Sequence, residues 1–208
     1  MIIAVDGPTA SGKGTIAKAL AAHFGLPHLD TGLLYRAVGL QCFLNGGDPD
    51  NPADALAACD FPDALIADPE LRSEATGGRA SQVSVHPEVR AALYELQHSF
   101  ATRPGGAVLD GRDIGTVIAP EADVKLFVVA SVPARAERRF REMQAAGRPV
   151  ALAEIAADLE ERDRRDCTRA EAPLLAAADA VLLDTSDLSR EEAIARAIAI
   201  AVERATRA

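Results

Sequence analysis

The stretch VDGPTASGKGT at residues 5–15 constrains the fold more than any other part of the chain. An apolar run, MIIAV at 1–5, leads into it. KGTIAKALAAHFG at 13–25 follows, with Ile16, Leu20 and Phe24 at helical spacing and Gly25 suited to the helix end. A strand, a glycine turn and a helix in that order aim backbone N–H groups and a helix dipole at one anion. Gly7, Gly12 and Lys13 match the phosphate-binding pattern G-x-x-x-x-G-K-[ST], but Gly14 follows Lys13 and the hydroxyl arrives one residue late, on Thr15. Gly7, Pro8, Thr9, Ala10, Ser11, Gly12, Lys13, Gly14 and Thr15 are therefore expected to cradle nucleotide phosphates, with Lys13 as a mobile positive charge. The missing side chain at Gly14 lets backbone and phosphate approach closely. Thr15 still offers a hydroxyl to a phosphate or to water around Mg²⁺.

Alternating patterns continue along the chain. LPHLD (26–30) reads as a short strand, and TGLLYRAVGLQCFLNG (31–46) as a helix with Thr31 as its N-cap. GGDPDNPA is a turn cluster. Residues 54–80 show the weakest pattern: a short helix, then DPELRSEATGGRA, polar and with few strand or helix signals. An amphipathic helix is predicted over 86–102, with Pro87 in its first turn. Strands are predicted at 106–111, 123–130 and 179–184, and helices at 131–147, 151–169 and 189–205, the last opened by a capping box of Ser189 and Glu192. Strands alternating with helices predict an α/β fold of the P-loop NTPase type, five parallel strands with helices on both faces.

Composition narrows the function. The net charge of −9 argues against a broad footprint for nucleic acid or an anionic membrane, though a local basic cleft remains compatible with it. Cys42, Cys59 and Cys167 are odd in number and far apart, so they read as reduced thiols. No basic segment precedes the first apolar run, unlike a signal peptide, and no apolar stretch approaches the ~18 residues of a membrane span. A cytoplasmic monomer without nucleic-acid or membrane partners is the expectation.

Three further stretches carry chemistry. In LDTGLLYR (29–36), Arg36 lies little more than a turn inside the helix and can reach back to a second anion; a surface arginine with a capping threonine is the alternative. In LDGRDIGTVIAP (109–120), Asp110 ends an apolar strand, the place for a carboxylate facing Mg²⁺ through water. Arg112 and Asp113 crowd the turn behind it. Nine arginines (135, 138, 139, 141, 148, 162, 164, 165 and 169) fall between residues 131 and 169 of an acidic chain. Arginine suits phosphoryl transfer because its planar fork grips phosphate oxygens and stays charged. Arg141, Arg164 and the i,i+4 pair of Glu161 with Arg165 read instead as a solvated helix face.

DGPTASGKGT, LDTGLLYR, ASQVSVHPEVR, DGRDIGTVIAP and ERDRRDCTRAEAPL, in this order over nearly the whole chain, resemble the bacterial cytidylate kinases. The resemblance implies transfer of a phosphoryl group from MgATP to CMP or dCMP. It implies that Gly7 to Thr15 hold ATP, with Thr15 and Asp110 toward the metal. Arg36, Arg112 and Arg169 would hold the CMP phosphate and the group in flight, and Thr31 and Tyr35 would line the same site. Ser81, Arg90 and Asp113 would read cytosine, and Asp166 with Arg162 the ribose. Lys13, Arg112 and Arg169 would be the catalytic set. One domain, 1–208, would carry a monophosphate-binding lobe at 31–102 and an arginine-rich lid at about 138–169. Two departures stand out: Thr31 replaces the family's usual serine, and residues 60–80 look too short and polar for the small β-sheet many members carry there. His23, His28, His86 and His98 read as structural. Another small-substrate P-loop kinase, or a P-loop regulator, are the rival readings; the guanine-reading N-K-x-D of GTPase switches does not occur.

Overall fold

The structure, a computed structural model, describes residues 1–145, 147–148 and 150–206. Among them, β1 (Ile2–Asp6), β2 (His28–Asp30), β3 (Ala107–Gly111), β4 (Val124–Val129) and β5 (Val181–Asp184) form one sheet in the order β2-β3-β1-β4-β5. Every pairing is parallel, as the strand–helix alternation predicts. Asp6 at the end of β1 pairs with Gly111 at the end of β3, so the glycine loop and the DGRD turn leave the sheet side by side.

Period-two alternation sends the strand side chains to two cores. Ile3 and Val5 pack with Ile16, Leu20, Leu126, Val128 and Ala197 on the face covered by α1 (Lys13–Phe24) and α8 (Arg190–Ala205). Ala4 and Leu109 pack with Ala101, Ile114 and Ile118 on the other face, against α5 (Pro87–Ala101). A third cluster joins Leu34, Val38 and Cys42 of α2 (Thr31–Leu44) to Ala55 of α3 (Pro52–Ala57), Ala80 and Val83 of α4 (Glu74–Val83), and Leu93 of α5. A further small one, Ala136, Ile155 and Leu159, holds α6 (Val132–Ala145) against α7 (Leu152–Thr168). Ser189 and Glu192 form the expected capping box.

Two local expectations are corrected. The polar segment after residue 60 is helical: two short 3₁₀ turns, Asp63–Ala67 and Pro69–Arg72, lead into α4. Ser73 caps α4, its Oγ accepting the Thr76 N–H, and burial of Ala80 and Val83 overrides the low helix propensity of Gly77 and Gly78. Thr31 is not a cap. Asp30 occupies the N-cap position, and the Thr31 hydroxyl donates to the Asp110 carbonyl at 2.8 Å, tying α2 to the end of β3. The turn after Asp113 is a π-helical turn, Ile114–Ile118. Its first two N–H groups, Ile114 and Gly115, each donate to the Asp6 carboxylate at 2.8 Å. Among the described residues no helix is long and apolar enough to cross a membrane.

Candidate active site

A cavity of about 710 Å³ opens over the carboxyl ends of β1, β2 and β3. Of the residues predicted from sequence, all but Gly7 and Pro8 line it, and those two belong to the same loop. Gly7 has φ +152°, and a Cβ there would overlap the Val128 carbonyl, so the loop turns where only glycine fits. From below, Arg135 donates to the Thr9 carbonyl at 3.2 Å and pairs with Asp163, while Thr185 Oγ1 donates to the Ser11 carbonyl at 2.9 Å. Arg135 is therefore a support of the loop, buried away from the cavity. Lys13 Nζ lies 3.3 Å from the Pro8 carbonyl. Burial, then the nearby Arg112 charge, pushes Lys13 down to about 7, against the pull of Asp110 and Asp30.

Oxygen donors gather beside the loop. Asp110 takes a hydrogen bond through Oδ1 from His28 Nε2 at 2.7 Å, and its Oδ2 faces Gly14. Burial, then the Asp110 charge, raises the Asp30 carboxyl above its ordinary range. His28 is thus a structural support of Asp110 and does not itself line the cavity. It stands two residues before Asp30 on β2, and its partner Asp110 is 82 residues away in the chain. Burial pushes Asp6 up to about 7 against the pull of the Gly115 and Ile114 N–H groups. Asp6 sets the turn that carries Arg112 and Asp113.

Arginines line the same cavity. Arg36 donates to the Leu71 and Ser73 carbonyls at 2.7 and 3.0 Å, and Arg162 donates to the Gly77 carbonyl at 3.2 Å. A Cβ on Gly77 would come within 2.9 Å of the Arg36 guanidinium, so this glycine makes room for the arginines. Burial, then the like charge of Arg162, lowers Arg36 to about 10. Arg112 Nε donates to Asp166 Oδ2 at 2.8 Å. Burial raises the Asp166 carboxyl, but Arg112, Arg169 and Arg162 together hold it below its usual range. Arg90 pairs with Asp113, lies 5.5 Å from the Tyr35 ring centroid and donates to the Ser84 carbonyl at 3.2 Å. Arg169 reaches the Ala172 carbonyl through Nε at 2.7 Å and the Ser84 hydroxyl through Nη1 at 3.4 Å. Its buried Nη2 makes no hydrogen bond among the described residues. It lies 3.9 Å from Asp113 Oδ1, so the Asp113 carboxylate stands between the Arg90 and Arg169 guanidiniums. Ser84, which sequence reasoning passed over, couples Arg90 to Arg169; its signal was one helical turn from Ser81.

The remaining arginines divide. Arg141 and Arg164 are exposed and pair with Glu137 and Glu161 on their own helices. Arg165 reaches Glu161 at 3.4 Å, as the i,i+4 spacing predicts, but it also bonds Ser81 on α4. Arg139 of α6 pairs with Glu74 of α4, and Arg138 bonds Thr185.

A glycine loop at a helix N-terminus, sharing one cavity over the carboxyl ends of parallel strands with a second set of arginines, defines a phosphotransferase of the P-loop kinase class. The chain belongs to the cytidylate kinase family: the family model described as Cytidylate kinase matches residues 3–203. It is 58% identical over 206 residues to a protein of Azorhizobium caulinodans named cytidylate kinase, with 99% of each chain covered. It is 57% identical over 205 residues to one of the same name from Xanthobacter autotrophicus, covering 98% of each. The fold is also that of a crystal structure of an uncharacterized protein from Eubacterium ventriosum, at a TM-score of 0.55 and 14% identity, covering 100% of this chain and 99% of that one.

Proposed function

We propose that the protein transfers the γ-phosphoryl group of MgATP to CMP or dCMP, giving ADP and the corresponding diphosphate. The observation that carries this reading is one cavity shared by a phosphate loop and a set of arginines. The glycine loop with Lys13 lines the same cavity as Arg36, Arg112 and Arg169. Such a site holds two phosphorylated ligands with their reacting ends together.

In this reading the loop from Gly7 to Thr15 holds the triphosphate, and Arg36, Arg112 and Arg169 hold the acceptor phosphate. An oxygen of the CMP phosphate attacks the γ-phosphorus, the bond to the β,γ-bridging oxygen breaks, and ADP leaves. That oxygen is already ionised at neutral pH, so no general base is required. Lys13, Arg112 and Arg169 offset the charge spread over the phosphoryl oxygens. Thr15 and Asp110 offer the hard oxygen donors that Mg²⁺ prefers. No group of three or more His, Cys, Asp or Glu suited to a metal occurs among the described residues, so the ion would be shared with the nucleotide phosphates. Bound there, Mg²⁺ would neutralise phosphate charge. Asp113 accepts the cytosine amine, Arg90 and Ser81 serve the ring acceptors, and Asp166 with Arg162 takes the ribose hydroxyls. Residues 31–102 form the monophosphate-binding lobe and 138–169 the lid. Their closure excludes water that would otherwise hydrolyse ATP. The protein works as a monomer in the cytoplasm.

The test is ADP release with MgATP against CMP, dCMP, UMP, AMP, GMP and shikimate. Turnover with CMP and dCMP well above the others is expected. Preference for another acceptor would overturn the base-reading assignments, and ATP binding without transfer to any acceptor would favour a regulator.

A further inference from the structure

The Ser81 hydroxyl is engaged from one side. Arg165 of α7 donates from Nη1 to Ser81 Oγ at 2.9 Å. The other arm of the same fork, Nη2, lies 3.4 Å from Glu161 Oε1, one turn back on the helix. Glu161 therefore orients the guanidinium that reaches Ser81. A serine hydroxyl has one proton to give and two lone pairs, whereas a guanidinium only donates. The Ser81 oxygen is thus the acceptor in this pair, and its own proton is committed to nothing among the described residues. Ser81 is nevertheless buried, 7% exposed, on the cavity wall.

We propose that Arg165 is a specificity-determining residue that acts through Ser81, making its hydroxyl a donor to the base. The inference rests on the reading of this cavity as a CMP site. A cationic donor on the oxygen polarises the O–H bond, strengthening the hydroxyl as a donor and weakening it as an acceptor. Cytosine offers ring N3 and O2 as acceptors. Uracil carries N3–H, a donor, where cytosine has a lone pair. A hydroxyl without Arg165 turns to suit either base; one polarised by Arg165 favours cytosine. Arg165 does not line the cavity itself, so its effect falls on selection of the base and not on the phosphates.

The test compares kcat/KM for CMP and for UMP in the native protein and in Arg165→Met, Arg165→Lys, Ser81→Ala and the Arg165→Met/Ser81→Ala double variant. The native protein should prefer CMP. Arg165→Met should lower the CMP-to-UMP ratio about tenfold, the scale of one polar contact to the base, with KM for ATP unchanged. Arg165→Lys, which keeps a charged donor, should recover most of the ratio, and the double variant should discriminate no worse than Ser81→Ala. Should Arg165→Met fold poorly, Glu161→Ala on the surface releases the same fork and should lower the ratio about threefold. An unchanged ratio in Arg165→Met, or an equal drop when Ser81 is already alanine, overturns the inference while leaving the kinase reading intact. A native protein indifferent to CMP and UMP overturns the inference together with the base-reading assignments.

Discussion

Arg112 and Asp166 meet at the cavity, Nε to Oδ2 at 2.8 Å, joining the turn after β3 to the last turn of α7. Asp166 is buried and Arg112 partly so; burial lowers the Arg112 guanidinium, but Asp166 holds it above its ordinary value. One side chain thus meets both the proposed phosphate contacts and the helix that would carry the ribose-binding residues. Arg112→Ala should lower kcat roughly a thousandfold, the scale of losing one preorganised charge at a transition state. Arg112→Lys should not restore it, because an ammonium lacks the planar fork. Steady-state rates beside circular dichroism separate this from misfolding; near-native turnover in a folded Arg112→Ala protein would remove Arg112 from the catalytic set.

The Lys13 ammonium gives a pH dependence whose sign is fixed. Without nucleotide, burial and then Arg112 lower it to about 7. Bound phosphates favour the charged form, so its pKa rises on binding. Between the free and bound values, binding takes up a proton, and ATP affinity falls as the pH climbs above the free value. Calorimetry at pH 8 in buffers of different ionisation enthalpy should show uptake approaching roughly one proton per ATP. Zero uptake would mean that Lys13 is already charged in the free protein.

Asp6 lies on β1, with both oxygens taken by the N–H groups of Ile114 and Gly115. Asp6→Asn would turn an amide NH₂ toward one of those donors. A loss of about 1–3 kcal/mol is expected, the cost of one unsatisfied buried donor. Because the turn also carries Arg112 and Asp113, kcat/KM for CMP should fall further than KM for ATP rises. Urea melts and the two kinetic parameters check this together; equal effects on both substrates would point to the glycine loop instead.

The two glycines at the ends of the phosphate loop should behave differently. At Gly7 a Cβ overlaps the Val128 carbonyl, so Gly7→Ala should destabilise by about 3 kcal/mol or more. At Gly14 a Cβ would meet only Asp110 Oδ2, at 3.5 Å, an ordinary contact. Gly14→Ala should melt near the native temperature but raise KM for ATP, because the added methyl stands between backbone and phosphate. A Gly14→Ala protein with unchanged KM would show that the displaced hydroxyl pattern has no bearing on phosphate approach.

The elements legible in the sequence were those whose signal is local. The strand, glycine turn and helix at the N-terminus declare themselves within 25 residues, and β3, β4, α5 and α8 appear within a residue or two of their predicted ends. Segments that depend on distant partners were harder. IGTVI at 114–118 has the composition of a strand, and a carboxylate over 100 residues away makes it a π turn. EATGGRASQV carries two glycines and few apolar residues, and becomes a helix through the Ser73 cap and its packing on α2. Within the site, residue types revealed the charged groups, because phosphate chemistry requires them. The contacts of His28 with Asp110 and Arg165 with Ser81 join positions 82 and 84 residues apart, and no local pattern encodes them.

The most direct test of the central claim follows one phosphorus atom. The protein is incubated with CMP and MgATP labelled at the γ-phosphate, and the products are separated. Label recovered in CDP, with ADP formed in equal amount and little free phosphate, is the predicted result. Label appearing mainly as inorganic phosphate, or CDP left unlabelled, would contradict direct transfer within the one cavity.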